Sequence, residues 1–174
     1  MGTKVNIPTD IHAVTVRDAG EDDRQFFIEH MADTLTIRHK VDSERATEHA
    51  KKVFERYLHA NNSPAEDARV EQYLLIAEQP DGPIGYAYLT HQPSESTFTI
   101  RSISSNIPKF TTRLIHAAEE HAIRCGATKL YSYVAPVSRN IIVKMEANGF
   151  TKTGITETFS ELRLAMYLMM KNLP

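Results

Sequence analysis

The stretch from Ala127 to Phe150 constrains this chain more than any other. Residues Ala127 to Val134 read as a buried strand, rich in the aromatic and apolar residues that suit a pleated surface. A short loop follows. Ser138 stands at a helix N-cap, Ile141, Ile142 and Met145 form the stripe behind it, and Gly149 stops the helix before a new strand at Phe150.

The rest of the chain can be placed around this unit. Residues 1–11 are polar and read as a loose segment, leaving 12–174 as a single domain. Ala13 to Arg17 alternates like a strand. From Glu21 to Leu35, Phe27, Ile28, Met31 and Leu35 share one helical face, and Glu21, Asp22 and Asp23 complement the dipole of the first turn. A second helix starts near Asp42 or Ser43 with the stripe Ala46, Ala50, Val53, Phe54, Tyr57 and Leu58, and Asn61-Asn62-Ser63-Pro64 ends it. The period then changes to two. Val70 to Glu78 and Ile84 to Thr90 form a hairpin around Gln79-Pro80-Asp81-Gly82, and Thr97 to Ile103 adds a further strand. Pro108 to Arg124 is helical, with Phe110, Leu114, Ile115, Ala118 and Ala122 on its buried face and Cys125-Gly126 at its end. Two strands close the chain, Phe150 to Ile155 and a final one in which Leu162, Leu164, Met166 and Leu168 alternate with Arg163, Ala165 and Tyr167.

Composition excludes several classes. A chain of 174 residues, 41% hydrophobic and 24% charged, suits one soluble α/β core. A net charge of -2 offers no broad attraction to nucleic acid or to acidic membranes. No apolar run approaches the roughly 20 residues that span a bilayer. The opening residues resemble neither a secretory signal nor a myristoylation site, and Cys125 has no partner cysteine, so the expected location is cytoplasmic. The histidines lack metal-ligand spacing, so no metal is expected. The basic residues Arg38, His39, Lys40, Arg45, Lys51, Lys52 and Arg56 are interleaved with Glu44, Glu48 and Glu55, and read as a solvated face.

The element order resembles the GNAT superfamily, whose members move an acyl group from coenzyme A to an amine. Short matches carry the resemblance further: Val16-Arg17-Asp18-Ala19 ahead of Glu21-Asp22, the turn Asp81-Gly82-Pro83-Ile84-Gly85, and the ending Glu146-Ala147-Asn148-Gly149-Phe150. The implied fold is α/β, with a mixed, mostly antiparallel sheet of about seven strands splayed between strands 4 and 5 and flanked by about four helices. The implied cosubstrate is acetyl-CoA or another acyl-CoA, and the implied acceptor is a small-molecule or protein amine. A homodimer is one arrangement the sequence leaves open.

The chain departs from the family pattern at the site. The resemblance places the coenzyme A pyrophosphate on Asn106-Ile107-Pro108-Lys109-Phe110-Thr111, which has no glycine and loses one N–H at Pro108. Ile103, Lys109, Thr111, Thr112 and Ser138 are the residues expected around the cofactor, Ser138 taking the family's capping Asn position. Met145 occupies the position of the family's frequent Tyr general acid, and a thioether cannot donate a proton. Tyr133 is the candidate replacement, although two tyrosines at period two also read as packing residues. His91, at a strand end, is the candidate base. Two functions stand side by side. One is an acyl-CoA-dependent N-acyltransferase with an atypical loop. The other is a GNAT-fold binding or regulatory domain that does not use coenzyme A in the usual way.

Overall fold

In the computed structural model, residues 14–62, 70–157 and 162–174 are described. The loose segment expected at 1–11, the strand start at Ala13 and the helix stop at Ser63-Pro64 lie outside them, as does most of the loop before the last strand. Strand β1 (Thr15–Asp18) leads through a 3-10 turn (Glu21–Asp23) into α1 (Arg24–His39) and α2 (Ser43–Asn62). Then come β2 (Glu71–Gln79), β3 (Gly82–Gln92), β4 (Thr97–Ser105), a 3-10 turn (Pro108–Phe110), α3 (Thr111–Arg124), β5 (Lys129–Val134), α4 (Arg139–Ala147), β6 (Thr151–Glu157) and β7 (Ala165–Asn172).

The strands form one seven-stranded sheet in the order β1-β2-β3-β4-β5-β7-β6. Only the β4–β5 pair is parallel. Helices α1 and α2 cover one face of the sheet, α3 and α4 the other. Both faces of the central hairpin are buried, so Leu74 to Ala77 and Tyr86 to Leu89 form apolar runs where a period of two predicts alternation. Leu74, Ile76, Tyr86 and Tyr88 join Phe27, Met31, Ala50 and Phe54 in the α1/α2 core. Leu75, Ala77, Ala87 and Leu89 point the opposite way, toward Leu114, Ile115, Ala118 and Met145 in the α3/α4 core.

Local chemistry sets the element ends. Asp42 Oδ1 accepts the N–H groups of Glu44 at 3.0 Å and Arg45 at 3.2 Å, which makes Asp42 the N-cap of α2. Asp23 does similar work earlier, accepting the Gly20 N–H at 2.8 Å and pairing with the Arg17 guanidinium at 2.7 Å. Gly126 (φ 75°) and Gly149 (φ 86°) take the left-handed turn after α3 and α4.

Two expectations need correction. The helix expected from Pro108 opens with a separate 3-10 turn, and α3 proper begins at Thr111. Leu162 and Leu164 do not belong to the last strand. They pack against the α1/α2 core, while Arg163 between them adopts φ 45°, a conformation incompatible with a strand. β7 therefore starts at Ala165, and its buried positions are Met166 and Met169. Among the described residues no helix is long and apolar enough to cross a membrane.

Candidate functional site

The site originates in the strand pairing. β4 and β5 pair only from Thr97 opposite Lys129 to Ile100 opposite Ser132, and then separate. The cause lies in the next residue. Opposite β3, Leu89 faces Ile100 and Tyr88 faces Ser102, so Arg101 is an extra residue bulged out of β4. A bulge bends and twists its strand, and here it swings the second half of β4 away from β5. The resulting cleft, about 320 Å³, has a floor of Thr90, Arg101, Ser102, Ile103 and Tyr133. One wall comes from Thr34, Arg38 and His39 of α1 with His49 and Arg56 of α2, and the other from Ser138 and Ile141.

Of the expected site residues, Ile103, Tyr133 and Ser138 meet in this cleft. The Arg101 guanidinium sits 5.3 Å from the centre of the Tyr133 ring, held there by a 2.9 Å bond from its Nε to Thr90 Oγ1. Ser138 occupies the N-cap position of α4, and its carbonyl accepts the Ile141 N–H at 3.0 Å. Its hydroxyl does not cap the helix, contrary to expectation. With ψ near 57° the residue lies outside the extended conformation that aims a capping side chain at the helix N–H groups, and Ser138 Oγ is buried without a partner.

His91 lies elsewhere. β3 continues to Gln92, so His91 is a strand residue, and alternation sends it to the face opposite Thr90. There it is 5% exposed, stacked 4.4 Å from Phe98, with Nδ1 2.7 Å from Glu71 Oε2. It does not line the cleft. Met145 is wholly enclosed in the α3/α4 core, so packing accounts for it.

Lys109, Thr111 and Thr112 stand at the start of α3, on a turn that is closed upon itself. The Asn106 N–H donates to Ile84 O at 2.8 Å, and the Ile107 N–H to Ser105 Oγ at 3.2 Å. The Phe110 N–H donates to Ile107 O and the Thr111 N–H to Pro108 O, while Pro108 has none. Pro108 O also accepts a bond from Lys144 Nζ. Thr111 is buried, and the exposed Lys109 rests its ammonium 4.9 Å from the Phe110 ring. The sequence exposes the missing glycines but not this internal use of the remaining donors.

The cationic wall is the feature sequence reasoning misses. Arg38 and His39 are half-buried, and burial pushes both below their ordinary pKa values, His39 further because Arg38 is its neighbour. The signal was present: Met31, Thr34, Leu35 and Arg38 follow the i, i+3, i+4, i+7 spacing, so Arg38 continues the buried stripe of α1. Polar bonds fix α1 to the sheet at this level. His30 Nε2 lies 3.0 Å from Ser104 Oγ, and the Thr34 hydroxyl donates to the same Oγ at 3.1 Å. Among the described residues no group of three or more His, Cys, Asp or Glu side chains could hold a metal ion.

No family model and no curated protein sequence matches the chain. Solved structures do. A protein of the GNAT family from Desulfovibrio desulfuricans superposes with a TM-score of 0.68 at 15% identity, over 93% of this chain and 100% of that one. The chain has the GNAT fold. Two further structures with this fold are similar over nearly their whole length. A spermidine N-acetyltransferase from Vibrio cholerae, in complex with CoA and spermine, gives a TM-score of 0.68 at 14% identity, over 92% of this chain and 96% of that one. A ribosomal-protein-alanine N-acetyltransferase from Brucella melitensis gives 0.66 at 18%, over 91% and 99%. At such identities the GNAT fold sets where the sheet opens, while the side chains lining the opening are this chain's own.

Proposed function

We propose that this protein is an acyl-CoA-dependent N-acyltransferase that transfers its acyl group, acetyl in the simplest case, directly to a substrate amine. The observation that carries this reading is the separation of β4 from β5 at the Arg101 bulge, with Tyr133 and Ser138 converging on the gap. Beyond Ile100, β4 pairs with β3 alone, so its other edge can bond the extended amide-bearing arm of coenzyme A, and Ser138 Oγ offers a further buried hydroxyl. The α3 turn fits less well. The N–H groups of Asn106, Ile107, Phe110 and Thr111 are committed, and the Lys109 ammonium with the Thr112 hydroxyl offers further contacts for phosphate.

Acyl-CoA, when bound, supplies the thioester carbonyl, whose bond to sulfur breaks as a bond to nitrogen forms. His39, held neutral by burial, accepts the proton that the amine loses. The Tyr133 hydroxyl gives a proton to the departing thiolate, and Arg101 stabilises negative charge beside it. A neutral imidazole is the working form, and a lowered pKa keeps it neutral into acid. With the amine saturating, the acid limb of kcat should therefore fall below the ordinary imidazole value of about 6.5, and an unchanged limb in His39→Gln would exclude His39 as the base.

Titration calorimetry with coenzyme A and acetyl-CoA tests the reading directly. Binding should weaken with salt, and Lys109→Ala should raise the dissociation constant about tenfold, equivalent to 1.4 kcal/mol. The closed turn favours a second reading, a GNAT-fold binding or regulatory module without coenzyme A. Absence of binding at millimolar ligand and low salt would select it.

A further inference from the structure

Three arginines from three elements, Arg38, Arg56 and Arg101, line the one cleft. Among the described residues none of them forms an ion pair with a carboxylate. Two arginines outside the cleft do meet carboxylates: Arg17 pairs with both Asp23 and Glu78, and Arg24 with both Glu21 and Glu55. Nor does any described Asp or Glu line the cleft. A guanidinium carries five donors in a planar fork, and a half-buried one with no anion leaves most of them facing the cavity. Among the described residues, Arg101 Nε bonds Thr90 Oγ1 and Arg56 Nε lies 3.3 Å from Lys52 O, the hydrogen bonds found for these three side chains.

Resting on the acyltransferase reading, we infer that the acceptor is a small amine bearing a carboxylate, of the size and charge of an amino acid, and that Arg38 and Arg56 read its acid group. Arg101 belongs to the floor beside Tyr133, where acyl transfer takes place, whereas Arg38 and Arg56 lie on the helical wall. An acceptor spanning the two would hold its acid against the wall and its amine toward Tyr133. A cavity of about 320 Å³ accommodates a molecule of that size. A polyamine would instead set its ammonium groups against three guanidinium groups with no carboxylate to offset them, and like charges in a partly dry site repel strongly. The spermine-bound Vibrio cholerae enzyme shares the fold and handles a polycation. The cleft described here carries charge of the same sign as such a ligand.

The test uses the intact protein with acetyl-CoA and follows release of the free thiol. Amino acids are compared with their carboxamides, with spermidine and with 2-aminoethyl phosphate. The carboxylates should exceed their amides at least tenfold in kcat/KM, and Arg38→Gln should abolish most of that preference while leaving coenzyme A affinity unchanged. Arg56→Gln, at an exposed position, serves should the first variant fail to fold. Equal turnover of acids and amides, or a preference for spermidine, overturns the inference. A preference for the phosphate also overturns it, as does an Arg38→Gln effect on coenzyme A affinity alone, which would assign the arginines to the cosubstrate's phosphates. Thermal shift with the amino acids and their amides, without acetyl-CoA, reads the cleft separately. Stabilisation by the acids alone in a protein that binds no coenzyme A would refute the acyltransferase and keep the anion site, and equal shifts would refute the site.

Discussion

β4 enters two regions that treat their polar groups in opposite ways. At Arg101 it bulges and opens a cleft lined by Arg101, Arg38 and Ser138. At Ser105, four residues on, it begins a turn in which the N–H groups of Asn106, Ile107, Phe110 and Thr111 all find acceptors inside the chain. The contrast shows that readiness for a ligand is a local property. One strand can leave side-chain donors open at one point and consume backbone donors a few residues on, because each donor is committed by its own neighbours and not by the architecture.

The largest effect that could break this contrast is catalytic. Tyr133→Phe keeps the ring under Arg101 and removes only the hydroxyl, so kcat should fall about 100-fold, or roughly 2.7 kcal/mol, if that hydroxyl donates the proton. An unchanged kcat would return Tyr133 to a packing role. Next in size is Gly85→Ala, which sharpens the closed side. A Cβ there would sit 2.7 Å from Ser104 O and 2.9 Å from Ser105 Cβ, so β3 and β4 would have to part just before the turn. Denaturant unfolding should show a loss of about 2 kcal/mol, and no loss would mean that the two strands yield easily. The smallest expected effect is Ser138→Ala. A true side-chain cap is worth about 1 kcal/mol. Because Ser138 Oγ makes no such bond, the change should stay within about 0.5 kcal/mol in unfolding while weakening coenzyme A binding.

Much of the fold was legible because its signals are periodic. The α2 stripe from Ala46 to Tyr57 and the hairpin around Pro80-Asp81-Gly82 follow from spacing and turn chemistry alone. The errors fall where a residue's surroundings outweigh its spacing. His91 looks like a strand-end histidine until β3 is seen to continue past it, and Leu162 looks like strand until Arg163 turns the backbone. Arg38 was visible on the stripe of α1, but its charge argued for solvent.

The sequence by itself determined the elements, their order and their two buried faces, since these depend on side-chain periods and on glycine and proline stops within a few residues of one another. Only the tertiary structure decided which polar groups are consumed and which stay available. Ser105 Oγ reaches Ile84 O across 21 residues and His30 reaches Ser104 across 74, and these distant bonds close the turn and anchor the helix that carries Arg38. Hydrogen-bond partners at such separations exist only once the sheet has formed, and so does the cleft that the Arg101 bulge leaves open.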